Sequence, residues 1–183
     1  GFTPGPNIVV RGVIGSNPTI ANGSTTTTGI NNTRFAQRTI GVDSQEKFFR
    51  IGNEGGTLGL NVASITLSGD TADFFVTENI ANAISPDTFQ DFSITFRPTT
   101  DSGIRTAMVS IANSDADKNP YTFRVQGRAN CAAVSGSIFP QSGPPGTTIV
   151  VNSPGNALIG ATASLNGVPL DFVSNATDEL VVS

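Results

Sequence analysis

Four oxygen-bearing side chains stand at every second position near the middle of the chain. They are Asn113, Asp115, Asp117 and Asn119, and this spacing lets successive side-chain oxygens converge on a calcium ion in a loop. The loop has no glycine at its sixth position, and Arg124 stands at the twelfth, where calcium loops use a bidentate glutamate. Asn and Asp also form turns by bonding their own backbone. We therefore expect a plain hairpin turn here, with bound calcium as the alternative.

A pair of carboxylates is the other reactive arrangement that the residue types allow. Two of Asp70, Asp73, Asp87 and Asp91 could act in glycoside hydrolysis, although scattered surface acids are the more ordinary interpretation. The chain has no histidine, so it lacks the usual general base near neutral pH and the commonest zinc ligand. Its one cysteine, Cys131, has no histidine to activate it. The sequence therefore predicts no enzymatic activity, no catalytic residue and no cofactor besides the alternative calcium ion.

Charge is unevenly distributed along the 183 residues. Ten basic and eleven acidic side chains precede Ala129, whereas the remainder has three acidic side chains and no basic one. Neither part has the basic field that a phosphate backbone requires, so nucleic acid is not expected as a partner. No apolar run approaches the ~20 residues that cross a bilayer, so membrane insertion is not expected. A protein or a surface polysaccharide stays open as a partner.

Short alternating runs predict β-strands joined by turns. Apolar residues alternate with polar ones in three runs, which are Phe92, Ile94 and Phe96, then Ala107, Val109 and Ile111, then Tyr121, Phe123 and Val125. The last two runs flank the polar turn, so they should form a hairpin. Further upstream, the alternation of Leu58, Leu60 and Val62 shifts phase before Ile65 and Leu67, as a β-bulge or a change of sheet requires.

The strands and turns together predict an all-β fold with two domains. Residues 7–128 show no sustained helical periodicity, and about seven to nine strands of this kind fit a Greek-key β-sandwich. Residues 129–136 are interpreted as a linker, and residues 137–183 as a second sandwich. In the second part, Leu165–Val168 carries the Asn-Gly signal of a type I′ hairpin.

Because it has few large apolar groups and so small a domain is marginal alone, the second domain is expected either to lean on the first domain or to have further strands beyond Ser183. If strands are missing, either Ile149–Val151 or Leu180–Val182 should lie at an open sheet edge, through which copies of the chain would associate weakly. Cys131 leaves three interpretations open, which are an inert linker thiol, half of a disulfide with a partner elsewhere, and an intermolecular link.

Five separated signatures give the first domain a family resemblance. They are Asn7 to Gly12, Phe48 to Gly55, Ala72 to Phe74, Phe92 to Pro98 and Asn119 to Gly127. In this order they resemble the bacterial choice-of-anchor D domain, which is itself similar to the Hydin-type immunoglobulin-like domains. The run from Pro140 to Thr147 is similar to the opening of an IPT/TIG immunoglobulin-like domain. The resemblance thus implies two tandem immunoglobulin-like Greek-key sandwiches, the second truncated.

The same resemblance implies a function. It suggests a non-enzymatic structural or adhesion module of a secreted or cell-surface bacterial protein, which spaces and presents neighbouring domains. The alternative is an accessory module of a secreted hydrolase, which binds a polysaccharide or a protein. An exposed aromatic side chain or a polar cleft would favour the alternative. Phe48 and Phe75 are the aromatic candidates, because each follows or precedes a phenylalanine on the opposite face of its strand.

Overall fold

The protein is described by a computed structural model, which covers residues 4–80, 83–99, 101–131, 137–140, 147, 149–152, 164–165, 168–169, 172–175 and 179–182. The described residues form strands and no helix, so the predicted all-β fold is confirmed. The chain divides into two compact units, Gly1–Cys131 and Ala132–Ser183. We call them the first and the second unit.

The first unit is an immunoglobulin-like sandwich of two five-stranded sheets. Its described strands are β1 (Ile8–Gly12), β2 (Thr19–Ile20), β3 (Arg34–Thr39), β4 (Gln45–Asn53), β5 (Leu60–Gly69), β6 (Phe74–Glu78), β7 (Ala83–Ile84), β8 (Phe89–Phe96), β9 (Gly103–Asn113) and β10 (Tyr121–Asn130). Sheet A has the order β2-β1-β4-β8-β6, and sheet B has the order β3-β10-β9-β5-β7. Neighbouring strands are antiparallel, except that β3 runs parallel to β10.

Alternation along the sequence determines which side chains face the core. In β10 every second residue from Tyr121 to Ala129 is buried, because successive side chains of a strand point to opposite faces. The predicted hairpin is confirmed, since β9 and β10 pair from Tyr121 opposite Ile111 onward. The predicted bulge is also confirmed, at the register shift of β5 between Val62 and Ser64.

Phenylalanine rings fill much of the space between the sheets, in two groups. Phe49 lies 5.4 Å from Phe92 and 5.5 Å from Phe123, measured between ring centroids. In the second group, the Phe74 and Phe96 rings stack at 4.7 Å. Phe96 packs directly on Gly127, where an added Cβ would stand 2.5 Å from the ring. Glycine at this position therefore lets the two sheets approach each other.

The first unit differs from the prediction in three strands and one boundary. Ten strands are described instead of seven to nine, because the two-residue strands β2 and β7 and the edge strand β3 had not been predicted. Phe35 is the one buried residue of β3. The strand therefore has no regular alternation of apolar and polar residues from which it could be predicted. Strand β10 continues to Asn130, two residues into the range 129–136 that was predicted to be a linker, because buried Ala129 still pairs with Gly103.

The second unit contains strands β11 (Ser137–Phe139), β12 (Ile149–Asn152), β13 (Ser164–Leu165), β14 (Val168–Pro169), β15 (Phe172–Asn175) and β16 (Glu179–Val182). Leu165 pairs with Val168, as the predicted hairpin requires, although its Asn-Gly turn lies outside the described residues. Most of the run from Pro140 to Thr147 lies outside them too. Whether this unit is incomplete remains a prediction.

The predicted open edge of the second unit was wrong. Strands β12 and β16, which contain Ile149–Val151 and Leu180–Val182, pair with each other in the described sheet β11-β12-β16-β15. Each is flanked on its other side, by β11 and by β15. The described edges are therefore β11 and β15, because the sequence pattern showed strand positions but not their order in the sheet.

Candidate functional site

The four predicted calcium ligands meet in the turn between β9 and β10. Asn113 Oδ1 accepts the backbone N–H of Asp115 at 2.9 Å, and Asp115 Oδ1 accepts that of Asp117 at 3.0 Å. Asn119 Oδ1 accepts the backbone N–H of Asn113 at 3.1 Å. Three of the four side chains therefore bond the backbone of their own turn, as Asn and Asp do in polar turns.

Lys118 supplies a positive charge at the centre of this turn. Its ammonium donates to the side-chain oxygen of Asn7 and, at 3.0 Å, to the carbonyl oxygen of Ile8. Asp115 Oδ2 lies 3.7 Å from the same nitrogen and accepts the N–H of Ile8 at 3.0 Å. An ammonium has three donors, and three oxygens surround this one. We call Lys118, Asp115, Asn7 and Ile8 the lysine clasp.

The lysine clasp fastens the β9–β10 turn to the beginning of β1. The Asp115 side chain is only 6% exposed, so its charge is removed from water and depends on its bonding partners. Lys118 stands at the sixth position of the run, where a calcium loop would have glycine. Sequence reasoning missed Lys118 and Asn7 as partners, and the one available signal was a lysine inside a run of Asn and Asp.

A cleft of about 460 Å³ lies beside the lysine clasp. Residues 4–7, Gly55 and residues 114–118 line it. In the part of the chain that the structure describes, no group of three or more His, Cys, Asp or Glu side chains is placed to hold a metal ion. Of the three charged residues that line the cleft, Lys118 and Asp115 are bonded to the fold, and Asp117 is exposed.

Asp70 and Asp73 are brought together by one guanidinium. The Asp73 side chain, 2% exposed, has Oδ2 at 3.0 Å from Arg105 Nε, and Asp70 Oδ1 is 3.9 Å from Arg105 Nη1. Asp73 Oδ1 also accepts the backbone N–H of Thr99 at 2.7 Å, and Asp70 Oδ2 accepts that of Thr106 at 2.7 Å. Both carboxylates therefore connect the segment before β6 with β9, and Asp73 also bonds the segment before β9.

Asp91 and Asp87 have separate partners. Asp91 forms a two-point ion pair with Arg50, with oxygen-to-nitrogen distances of 2.6 and 2.8 Å. This hydrogen bonding raises the pKa of Arg50. Asp87 has a positive φ of 56°, and its Oδ1 accepts the N–H of Gly55 at 3.2 Å. Each of the four candidate carboxylates is thus bonded to an arginine or to the backbone.

Aromatic side chains are exposed on sheet A. Phe89 is 55% exposed and Phe48 is 38% exposed, whereas the Phe75 ring is half-buried, with the Arg97 guanidinium 5.2 Å from its centre. The Arg50 guanidinium lies 3.7 Å from the centre of the Phe89 ring. The sequence indicated Phe48 but missed Phe89, because Phe89 opens β8 out of phase with the buried Phe92, Ile94 and Phe96. We call Phe48, Arg50 and Phe89 the sheet A patch.

Cys131, at the end of the first unit, is an exposed free thiol. In the described parts of the chain no helix is long and apolar enough to cross a membrane.

No protein-family model matches the chain, and no curated protein matches it. Among solved structures, it is similar to the ASH/PapD-like domain 7 of human CEP192, with 15% identity and a TM-score of 0.44 over 73% of this chain and 92% of that one. The N-terminal domain of PorA has 10% identity and a TM-score of 0.36 over 69% of this chain and 100% of that one.

A family 123 glycoside hydrolase from Clostridium perfringens has 8% identity and a TM-score of 0.40, over 57% of this chain and 24% of the hydrolase. None of these likenesses assigns a function to the chain.

Proposed function

We propose that the chain is a non-enzymatic structural module of a secreted or cell-surface bacterial protein, which spaces and presents neighbouring domains. The resemblance of its signatures to the choice-of-anchor D and IPT/TIG domains supports this proposal. The arrangement in two compact units fits a module that sets a distance between its neighbours.

The observation that carries the proposal is that the candidate carboxylates form bonds within the fold. Asp70, Asp73 and Asp91 bond arginines, and Asp87 and Asp115 bond backbone N–H groups. A carboxylate that acts in glycoside hydrolysis must contact the substrate, whereas these carboxylates contact groups of their own fold. Carboxylates that link strands and loops in this way stabilise the fold, which fits a structural module.

A panel of glycosidase, esterase and peptidase substrates tests the absence of catalysis. We expect no turnover from the purified chain. Asp91 forms a two-point ion pair with Arg50, and its side chain is 35% exposed, so Asp91→Asn is the variant to compare. Turnover that Asp91→Asn abolishes, with unfolding unchanged, would contradict the proposal.

A second candidate function is an accessory module that binds a polysaccharide or a protein for a secreted hydrolase. The sheet A patch favours it, because an exposed ring supported by a guanidinium can stack against a flat ligand. Binding of neutral polysaccharides by the parent chain, compared with Phe89→Ala, tests this candidate. A Kd that Phe89→Ala weakens about tenfold would support it, and equal binding by both would count against it.

A further inference from the structure

Basic side chains gather at one edge of the sandwich. They come from three strands, β3, β4 and β10, and we call them the basic edge: Arg34, Arg38, Lys47, Arg124 and Arg128. They are half of the ten basic residues of the chain, which has a net charge of −4. They therefore create a local positive field on a protein whose net charge is negative.

Three members of the basic edge, Arg34, Arg124 and Arg128, share the outer face of sheet B. On β10, Arg124 and Arg128 alternate with the buried residues, as does Gln126 between them, so all three side chains point away from the core. Arg34 is exposed and lies opposite Gln126 in the parallel pair of β3 with β10. It therefore stands beside both arginines of β10.

The other two members of the basic edge lie at the rim between the sheets. Lys47 Nζ donates to the carbonyl oxygen of Arg34 at 2.7 Å and lies 5.4 Å from the centre of the Phe35 ring. Burial, and then the positive charge of Arg38, lower the pKa of Lys47. The two cations thus repel each other in the free protein, and an anion bound at this edge would relieve the repulsion.

The basic edge lacks acidic partners within the protein. Among the described residues, every ion pair within 4.0 Å uses Arg11, Arg50, Arg105 or Lys118. None uses a member of the basic edge. Arg34 Nη2 donates to the carbonyl oxygen of Thr27 at 2.8 Å, and Arg38 Nη1 donates to that of Gln37 at 3.0 Å. These acceptors are neutral, so the positive charge is not neutralised within the fold. Guanidinium groups bind carboxylates and similar oxyanions through two parallel hydrogen bonds.

The edge strand itself argues against an acidic peptide as the ligand. A peptide that adds to a sheet needs the outward N–H and C=O groups of the edge strand. On β3 the N–H of Ala36 donates to Gln45 Oε1 at 2.7 Å, and the C=O of Arg34 accepts from Lys47. These side chains cover the positions where a new strand would bond.

Stacking on bases is also absent from the described basic edge. Proteins that bind single-stranded nucleic acid interleave basic groups with exposed aromatic rings, but the aromatic residues of β3 and β10 are buried. Phe48 of β4 is exposed, but it faces away from the core on sheet A and so lies on the opposite side of the sandwich from the arginines of sheet B. The neutral neighbours are instead hydroxyl and amide groups. Thr27, for example, donates to Gln126 Oε1 at 3.0 Å, and such groups suit sugar hydroxyls.

We propose that the basic edge is a docking surface for an acidic polysaccharide, held by its carboxylate or sulfate groups. This inference goes beyond the proposed structural role and does not depend on it. The arginines of β10 and Arg34 would bind the acidic groups, and the polar side chains between them would bind sugar hydroxyls.

Titration calorimetry of the full chain with polygalacturonate or dextran sulfate, with neutral dextran as the uncharged probe, tests the proposal. We expect both acidic polymers to bind, neutral dextran not to bind, and affinity to fall as salt is added. Arg124→Gln/Arg128→Gln should weaken binding about tenfold or more, from the loss of two charge-assisted contacts. Single Arg128→Gln should weaken it about threefold.

Arg97→Gln is the matched control for Arg128→Gln, because Arg97 is also exposed and lies outside the basic edge. Binding that Arg97→Gln weakens as much as Arg128→Gln does would overturn the proposal, since net charge alone would then explain it. Equal affinity for polyglutamate or for single-stranded DNA would overturn the choice of a polysaccharide. No binding of either acidic polymer would overturn the docking surface altogether.

Discussion

Removing the ammonium of the lysine clasp should destabilise the first unit. Lys118→Met keeps most of the apolar side chain and leaves the Asp115 carboxylate, 6% exposed, without its cation. Breaking a buried ion pair costs about 3 to 5 kcal/mol, but the Lys118 side chain is 33% exposed. Solvent screening reduces the cost, so we expect a loss of about 2 kcal/mol in the free energy of unfolding.

Urea denaturation followed by tyrosine fluorescence measures this loss in the first unit specifically. Tyr121 is the single tyrosine and the chain has no tryptophan, so the signal comes from β10. With a urea dependence of about 2 kcal/mol per molar, the midpoint should fall by about 1 M. Asp117→Asn is the control, because it removes an exposed acid from the same turn.

A double-mutant cycle separates the ion pair from other effects of the substitution. Lys118→Met combined with Asp115→Asn should lose less than the sum of the single variants, by about 1 kcal/mol or more. Additive losses would mean that the two side chains do not act together. A Lys118→Met variant as stable as the parent would refute the clasp.

Three further predictions concern the same unit. Gly127→Ala should cost about 2 to 3 kcal/mol in urea denaturation because its Cβ would meet the Phe96 ring at 2.5 Å, whereas Gly29→Ala, with open space around it, should cost much less. Burial raises the pKa of Tyr121, so its contribution to stability is complete below the unfolded value of about 10 and is lost as pH rises through the folded pKa. Tyr121→Phe should therefore lose less of its free energy of unfolding than the parent as the pH rises above about 10. Urea denaturation followed by circular dichroism measures this, because the variant has no tyrosine to fluoresce, and the same pH dependence in both proteins would contradict it. Thermal melts with calcium and with chelator should nearly coincide, because Lys118 already provides the cation of the turn, and a shift of about ten degrees would show a calcium site.

Sequence alternation predicted the strands whose apolar residues occupy one face. Apolar and polar residues alternate in β8, β9 and β10, so their positions and the β9–β10 hairpin could be predicted. The burial of Ser93 and Thr95, on the polar face of β8, could not be predicted in this way. Strand β3 could not, because a parallel edge strand with one buried ring leaves no periodic signal. The same limit hid the order of strands in the second unit, since pairing depends on contacts distant in sequence.

The sequence predicted which residues form the candidate site, but it did not predict which residues bond to them. The alternate Asn and Asp residues identified the turn, and Asn113 to Asn119 do meet there. Their partners, Asn7 and Ile8, lie more than one hundred residues away in sequence, so nothing local indicates them. The basic edge likewise arises from strand pairing, because Arg34 and Arg128 become neighbours only when β3 joins β10.

The structural role that we propose for the chain is to space and present its neighbours. Its most direct test is replacement of residues 4–182 in the full-length protein by an unrelated pair of β-sandwich domains of equal length, with deletion of the same residues as the comparison. Access of an antibody to the neighbouring domain at the cell surface is the measurement. The account predicts that deletion reduces access and that replacement restores it. Access that stays low after replacement by well-folded domains would contradict the structural role.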